Sequence, residues 1–135
     1  MTERPAALPP ELVQEFVSVA HGDFDSTVAL LAQTPALANA VWDWGGGDFE
    51  SGLGAAAHMG RRDIALHLLA HGARFDLFAA AMLGQLDVVR AVLAAQPDLR
   101  HTAGAHGIPL PVHAQMGGPE AQAVVDWLET EAAAV

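Results

Sequence analysis

The sequence contains no cysteine and no tyrosine, and its six basic residues are all arginine. Without cysteine, neither disulfide bridges nor thiolate zinc sites contribute, so the fold depends on its hydrophobic core. Sixteen acidic residues against six basic ones give a formal charge of −10. Because a strongly negative surface repels polyanions, we expect no nucleic-acid partner.

The chain also lacks an apolar run of the ~20 residues needed to cross a bilayer. Its first residues, Met1 to Pro5, have neither the basic start nor the apolar middle of a secretory signal. We therefore expect a cytoplasmic protein with no membrane contact. Abundant alanine, glycine and proline beside the missing lysine is typical of a GC-rich, bacterial coding sequence. A length of 135 residues, 52% of them hydrophobic, suits one globular domain.

A repeated pattern surrounds four glycines. Each glycine is followed three residues later by an acid, in the pairs Gly22 and Asp25, Gly60 and Asp63, Gly84 and Asp87, and Gly117 and Glu120. After the first three, an apolar pair follows at positions eight and nine. This pattern predicts units of a short alanine-rich helix, a tight turn and a second, amphipathic helix. Gly72, Pro35 and Pro97 are placed to end the second helices, and no run of alternating β-branched residues predicts a strand. Ser51 and Asp76 are placed to cap the first helices of the second and third units. Leu68 lies on the apolar stripe by which the second unit is expected to face the core.

The second unit, residues 51–73, resembles the ankyrin repeat, whose pattern is T-P-L-H-x-A-A-x-x-G followed by x-x-x-V-V-x-x-L-L and x-x-G-A. The family period is 33 residues, whereas the glycines here are 38, 24 and 33 residues apart. The resemblance implies an all-α, ankyrin-like helical solenoid of about four helix-turn-helix repeats, with irregular first and last repeats. We predict an N-terminal tail at 1–11 and one domain at 12–135, with repeats near 12–37, 50–75, 76–99 and 108–130.

By the same resemblance, the expected function is that of a protein-protein interaction module or adaptor, without enzymatic activity. Ankyrin domains bind protein partners through loop tips and the helices that line the concave face. Carried onto this sequence, the partner-binding positions are Trp42, Trp44, Asp48, Phe49, Glu50, Ala55, His58, Met59, Met82 and Gln115. Large aromatic residues in the long loop at 42–49 suit an interface, although one or more of them could instead cover the core. No catalytic residue, metal ligand or cofactor is predicted.

The competing hypothesis is a metal-dependent small-molecule binder or enzyme. His67 and His71 lie four residues apart on a predicted helix, a spacing that lets two imidazoles share an ion. Asp43, Asp48 and Glu50 lie together in one loop and offer oxygen ligands to a hard cation. Two surface histidines and a solvated acidic loop explain the same residues more simply. His113 is expected to be a packing histidine.

Overall fold

The computed structural model describes residues 3–133, and most of them are helical. The helices are α1 (Pro10–Val19), α2 (Phe24–Gln33), α3 (Gly52–His58), α4 (Arg62–Ala70), α5 (Leu77–Met82), α6 (Leu86–Ala95), α7 (Leu110–Met116) and α8 (Gln122–Ala133). Two short antiparallel strands, β1 (Val41–Asp43) and β2 (Phe49–Ser51), separate α2 from α3. The predominantly helical prediction is confirmed, and the hairpin was not predicted. Helix α1 also starts inside the predicted tail. Residues 1–2 of that tail and 134–135 of the predicted domain lie outside the described residues.

The predicted helix caps are present. Ser51 Oγ accepts a hydrogen bond from the Gly54 backbone N–H at 3.0 Å and begins α3. Asp76 Oδ1 accepts one from Ala79 N–H at 2.8 Å and begins α5. Each cap satisfies one of the backbone donors that a helix start leaves free.

The predicted helix ends are also confirmed. Helices α2 and α6 stop two residues before Pro35 and Pro97, which begin 3₁₀ turns. Gly72 follows α4 with φ +91°, a conformation that glycine adopts without steric cost.

Two hydrophobic clusters form the interior. The first joins α1 to α4 with part of α5 and includes Phe16, Leu53 and the fully buried Leu68, which was predicted to lie in the core. The second joins α5 to α8 and includes Val89, Leu110 and Val124. Within the described residues, no helix is both long and apolar enough to span a membrane.

The last unit packs against both preceding ones, since α7 contacts α5 and also α3. Two of the repeated glycines allow this approach. A Cβ atom at Gly84 would overlap the Glu120 carbonyl oxygen, and one at Gly117 would overlap that of Met82. As a consequence, the segment that precedes α7 comes to lie beside the β1–β2 hairpin.

The loop at 42–49 is a hairpin rather than an extended projection. Trp42 pairs with Glu50, and Asp43 Oδ1 accepts hydrogen bonds from the backbone N–H groups of Gly45 at 2.8 Å and Gly47 at 3.0 Å. Residues 45–47 are three glycines that all have positive φ, as this tight return requires. The hairpin leads directly into α3 and fixes the position of Glu50.

Candidate metal centre

Three histidines and one glutamate meet where the hairpin, two helix ends and a loop come together. His21 follows the end of α1, His58 is the last residue of α3, and Glu50 lies in β2 immediately before that helix. His106 comes from the turn at Ala105–Gly107, beside the hairpin. Helix α1 packs on both β1 and α3, which places the ends of the two helices next to each other. We call these four residues the His–Glu cluster.

The Glu50 carboxylate is the centre of the cluster, and its side chain has no exposed surface. Glu50 Oε1 lies 3.1 Å from His21 Nε2 and 3.2 Å from His106 Nε2, whereas Oε2 lies 2.9 Å from His58 Nε2. Trp44 Nε1–H donates a hydrogen bond to Oε1 at 2.9 Å. Burial is the largest influence and raises the pKa of Glu50, but the surrounding imidazoles and the Trp44 indole together hold it below the ordinary value. Glu50 is therefore a buried carboxylate ion.

The proton positions follow from the partners of the other ring nitrogens. His21 Nδ1 lies 2.9 Å from the Val17 carbonyl oxygen, which only accepts, so Nδ1 carries the hydrogen. His106 Nδ1 lies 2.8 Å from a carboxylate oxygen of Asp48 and must donate as well. In the neutral rings, both Nε2 atoms then present lone pairs to the Glu50 carboxylate. Acceptors this close repel each other unless a proton or a metal ion lies among them.

A second observation points to a missing ligand. Within the described residues, Glu50 Oε2 and His58 Nε2 are the buried side-chain nitrogen and oxygen atoms without a hydrogen-bond partner. They are 2.9 Å apart, but their orientation does not make a hydrogen bond. Buried polar atoms are almost always satisfied, and each exception needs an explanation such as a bound ion. Both atoms belong to the His–Glu cluster.

Asp48 holds His106 in place with both of its oxygens. Oδ1 accepts from the His106 backbone N–H at 2.7 Å, and Oδ2 accepts from Nδ1 at 2.8 Å. His106 has φ +60°, and it is the one non-glycine residue among 3–133 with positive φ. Such a conformation is uncommon for a residue with a side chain and is often found at functional sites. The two bonds from Asp48 stabilise it and direct Nε2 toward Glu50.

The imidazole rings are close enough to interact. Their centroids are 5.0 Å apart for His21 and His58, 5.3 Å for His58 and His106, and 6.2 Å for His21 and His106. The Trp44 ring lies 6.3 Å from His21 and 6.0 Å from His106, and it remains 37% exposed. The side chains of His21 and His106 are also partly exposed. The cluster is therefore shielded but reachable from solvent.

The dimensions of the cluster suit a single metal ion. Each of the four residues offers one donor atom, and these atoms lie within 4.8 Å of one another. In a tetrahedral zinc site with bonds of about 2.0–2.2 Å, the donor atoms are about 3.3 Å apart. Three neutral imidazoles and one carboxylate are donors that zinc and other first-row divalent metals accept. Small side-chain movements are enough to place all four donors around one ion.

Three of the predicted partner-binding residues are buried. Ala55 and Met82 lie in the interior because their helices pack face to face, so the prediction that they contact a partner is wrong. Glu50 was expected to be exposed, and it is instead the buried centre of the His–Glu cluster. His58, predicted on the concave face, also belongs to this cluster.

The remaining predicted residues stay near the surface. Phe49 is 62% exposed, and Met59 and Gln115 are exposed as well. Trp42 is partly buried against the first hydrophobic cluster, whereas Trp44 covers the metal-binding candidates. The loop aromatics therefore divide between the core, the cluster and solvent.

The residues of the competing metal hypothesis do not come together in one site. His67 and His71 are stacked with centroids 4.2 Å apart, but no third His, Asp or Glu of the described residues joins them. Asp43 caps the hairpin loop. Asp48 and Glu50 do belong to the candidate metal centre, in contact with histidines rather than with each other as an acidic loop. His113 is buried, as predicted.

His21 and His106 were not predicted as site residues, and His58 was predicted to contact a protein partner. A signal for two of them was present, because His21 and His58 stand one and two residues before the repeated glycines Gly22 and Gly60. The ends of neighbouring first helices lie side by side in a helical stack. His106 has no comparable signal, since it meets Glu50 across 56 residues of chain.

Comparisons with known proteins assign no family. The sequence matches no protein-family model, and no curated protein shows significant similarity to it. The geometry of the His–Glu cluster is therefore the main indication of function in this chain.

Proposed function

We propose that this protein binds one divalent transition-metal ion, with Zn²⁺ as the first candidate, on an ankyrin-like stack of helix pairs. The ligands are the Nε2 atoms of His21, His58 and His106 and the carboxylate of Glu50. The observation that carries the proposal is the pair of buried, unpartnered atoms, Glu50 Oε2 and His58 Nε2, in a group of four residues whose donor atoms lie within 4.8 Å of one another.

The charge balance favours a metal over protons. Without an ion, His21 and His106 can each donate from Nε2 to Glu50 only as imidazolium rings, which places two positive rings with centroids 6.2 Å apart in a shielded site. A divalent ion instead accepts the lone pairs of neutral imidazoles and neutralises the buried carboxylate. Nitrogen donors favour zinc, copper or nickel over calcium and magnesium, which prefer oxygen.

The ligands come from distant parts of the chain, and this gives the ion a role in stability. His21 belongs to the first helix pair, Glu50 and His58 to the hairpin and the second pair, and His106 to the loop before the last pair. Because the unfolded chain lacks this arrangement, metal binding stabilises the folded state. We propose that the ion holds the hairpin and the 105–107 turn against the ends of α1 and α3.

The test is a zinc titration of protein freed of metal with a chelator. Isothermal titration calorimetry should give one ion per chain. Free zinc at about 100 times its Kd should stabilise the fold by about 2.7 kcal/mol, which raises the melting temperature by about 10 °C. The variant H58Q/H106Q should lose this binding, whereas the matched variant H67Q/H71Q should retain it. Absence of saturable binding, or equal loss in the two variants, would refute the proposal. The metal-free melting temperature of each variant shows whether it has folded.

Protein binding at the hairpin is a second candidate function, and the exposure of Phe49 favours it. At 62% exposed, this aromatic side chain is more accessible than the other large hydrophobic residues of the described chain. Phe49→Ala should remove partners that the wild-type protein captures from extracts of its host, as identified by mass spectrometry. Leu66→Ala is the control, since Leu66 on α4 is also exposed, at 46%. Identical captured proteins for both variants and the wild type would contradict this candidate.

A further inference from the structure

A pocket lies next to the His–Glu cluster and shares Glu50 with it. It has a volume of about 330 Å³, and its walls are residues 47–51 of the hairpin and residues 103–105 of the loop before α7. Gly54, Asp76, Phe78 and His113 complete the lining. Volumes near 300 Å³ are at the lower end of the range for small-molecule sites.

Gly54 is the first sign that this space is kept open. It lies inside α3, where glycine is less favourable than alanine because its backbone loses more conformational freedom. Its φ does not require glycine, and a Cβ atom there would meet only Ser51 Oγ at 3.4 Å and Glu50 Cγ at 3.7 Å. By contrast, a Cβ at Gly52 in the same helix would lie 2.8 Å from Phe16 in the core. Packing explains Gly52, but it does not explain Gly54, which borders the pocket.

Gly104 also lines the pocket, and the rings beside it leave no room for a side chain. Its φ is −82°, which any residue adopts, but a Cβ there would lie 3.0 Å from His113 Cε1 and 3.3 Å from Phe78 Cδ1. A side chain at this position would press on both rings. Two glycines without a conformational need thus leave the pocket between them free.

The polar atoms of the pocket favour a ligand that donates hydrogen bonds. His113 Nδ1 donates to the Pro109 carbonyl oxygen at 2.9 Å, so its Nε2 is an acceptor. Burial is the main influence that holds the pKa of His113 below its ordinary value, which keeps the ring neutral. Asp76 uses Oδ1 to cap α5 and retains further acceptor capacity on its carboxylate. The lining residues include no arginine.

The remaining walls are apolar. Phe49 and Phe78 both line the pocket, and Phe78 stacks on His113 with ring centroids 4.7 Å apart. Aromatic faces attract organic cations as well as apolar groups. The negative charge of Asp76, with those of Asp48 and Glu50 in the hairpin wall, adds to this preference.

We propose that this pocket binds a small molecule in which a primary ammonium group is attached to an apolar body. The ammonium group donates to Asp76 and to His113 Nε2, and the apolar body contacts Phe49 and Phe78. Glu50 lines both this pocket and the His–Glu cluster, but none of the four contacts proposed here is a metal ligand.

The probe is 2-phenylethylammonium, and 3-phenylpropionate is its counterpart of similar shape and opposite charge. Both are titrated into metal-free protein and followed by the NMR shifts of the backbone amides of residues 47–54 and 103–105. We expect saturable shifts with 2-phenylethylammonium at concentrations up to about 10 mM, and at least tenfold weaker binding of 3-phenylpropionate. Because no metal is present, failure of the zinc proposal does not affect this outcome.

Two variants locate the binding site. Gly54→Leu fills the pocket and should weaken binding at least tenfold, whereas Gly54→Ala should change it less than threefold and serves as the fold control. Asp76→Asn keeps an equally good helix cap but removes the charge, so it should weaken binding about fivefold or more. Asp98→Asn, an exposed position outside the pocket, should have no effect. The proposal is wrong if no saturable shift occurs, if the carboxylate probe binds as well, or if Gly54→Leu binds like Gly54→Ala.

Discussion

This chain has two groups of histidines, which differ in their spacing along the sequence and in the donor atoms around them in the structure. His67 and His71, four residues apart on one helix, match a familiar metal-binding spacing, yet they stack on each other without a third donor. His21, His58 and His106 are scattered over 86 positions of the chain and still converge on one buried carboxylate. The difference is Glu50, since a buried anion requires compensating partners and thereby organises the rings around it. The i, i+4 spacing on one helix brings two histidines together, but it does not provide the further ligands that a metal site needs.

The largest expected effect is that of removing this anion. Glu50→Gln keeps the size of the side chain but removes the negative charge, so zinc affinity should fall at least about 100-fold, or about 2.7 kcal/mol. Calorimetric titration of metal-free protein measures the change. The control is Glu129→Gln on the exposed surface of α8, which should bind zinc like the wild type. If Glu50→Gln kept the wild-type zinc affinity, Glu50 would not be what distinguishes the His–Glu cluster from the pair His67 and His71.

The next effect concerns the residue that orients His106. Asp48→Asn weakens the bond that fixes the His106 ring, and zinc affinity should fall by about 10–100-fold, as is usual for carboxylates that hold a metal-binding imidazole. Asp43→Asn is the matched control, because Asp43 lies in the same hairpin but bonds only to loop amides. Similar losses in the two variants would mean that hairpin stability, rather than ring orientation, determines affinity.

Trp44 should contribute less. Trp44→Phe keeps an aromatic ring over the cluster but removes the N–H that donates to Glu50 Oε1. A hydrogen bond to a charged group contributes about 1.5 kcal/mol at the lower end of its range, and this one is not a metal ligand, so we expect zinc affinity to fall by about tenfold. Stopped-flow or calorimetric competition against a chelator of known affinity measures the change. A loss as large as that of Glu50→Gln would indicate that Trp44 shapes the whole hairpin.

The smallest effect is one of proton binding in the metal-free protein, and it has opposite signs in the two groups. Burial lowers the pKa of His106, but the Glu50 and Asp48 carboxylates outweigh it and hold that pKa above the ordinary 6.5. Burial and the neighbouring His71 hold the pKa of His67 below 6.5. NMR titration of the histidine rings should therefore find His106 titrating at higher pH than His67.

The two shifts have opposite consequences for stability. His106 contributes to folding fully below about pH 6.5, and the contribution disappears as the pH rises through its higher folded pKa. His67 opposes folding as the pH falls below about 6.5, because the unfolded chain binds its proton more tightly. A His67 ring that titrates at higher pH than the His106 ring would contradict these assignments.

Local features of the fold could be predicted from the sequence. The caps at Ser51 and Asp76, the helix ends before Pro35 and Pro97 and the left-handed Gly72 all depend on residues within about four positions. The burial of Leu68 follows from the apolar stripe of α4. Such interactions are set by helix geometry and need no knowledge of tertiary contacts.

The site itself depends on contacts that no local pattern encodes. The strands of the hairpin are three residues long, too short for a clear alternation, so the burial of Glu50 was not visible. The position of His106 depends on the close packing of α7 against α3 and α5. Gly84 and Gly117 allow this packing, but their contacts form only between segments that are distant in the sequence. The acidic residues of the loop are evident in the sequence, but the histidines that contact Glu50 lie outside that loop.

The most direct measurement is anomalous diffraction at the zinc absorption edge from crystals of the zinc-treated protein. The account predicts one strong peak inside the His–Glu cluster, at about 2.0–2.2 Å from the Nε2 atoms of His21, His58 and His106 and from a Glu50 carboxylate oxygen. Zinc found between His67 and His71, with none at Glu50, would contradict it.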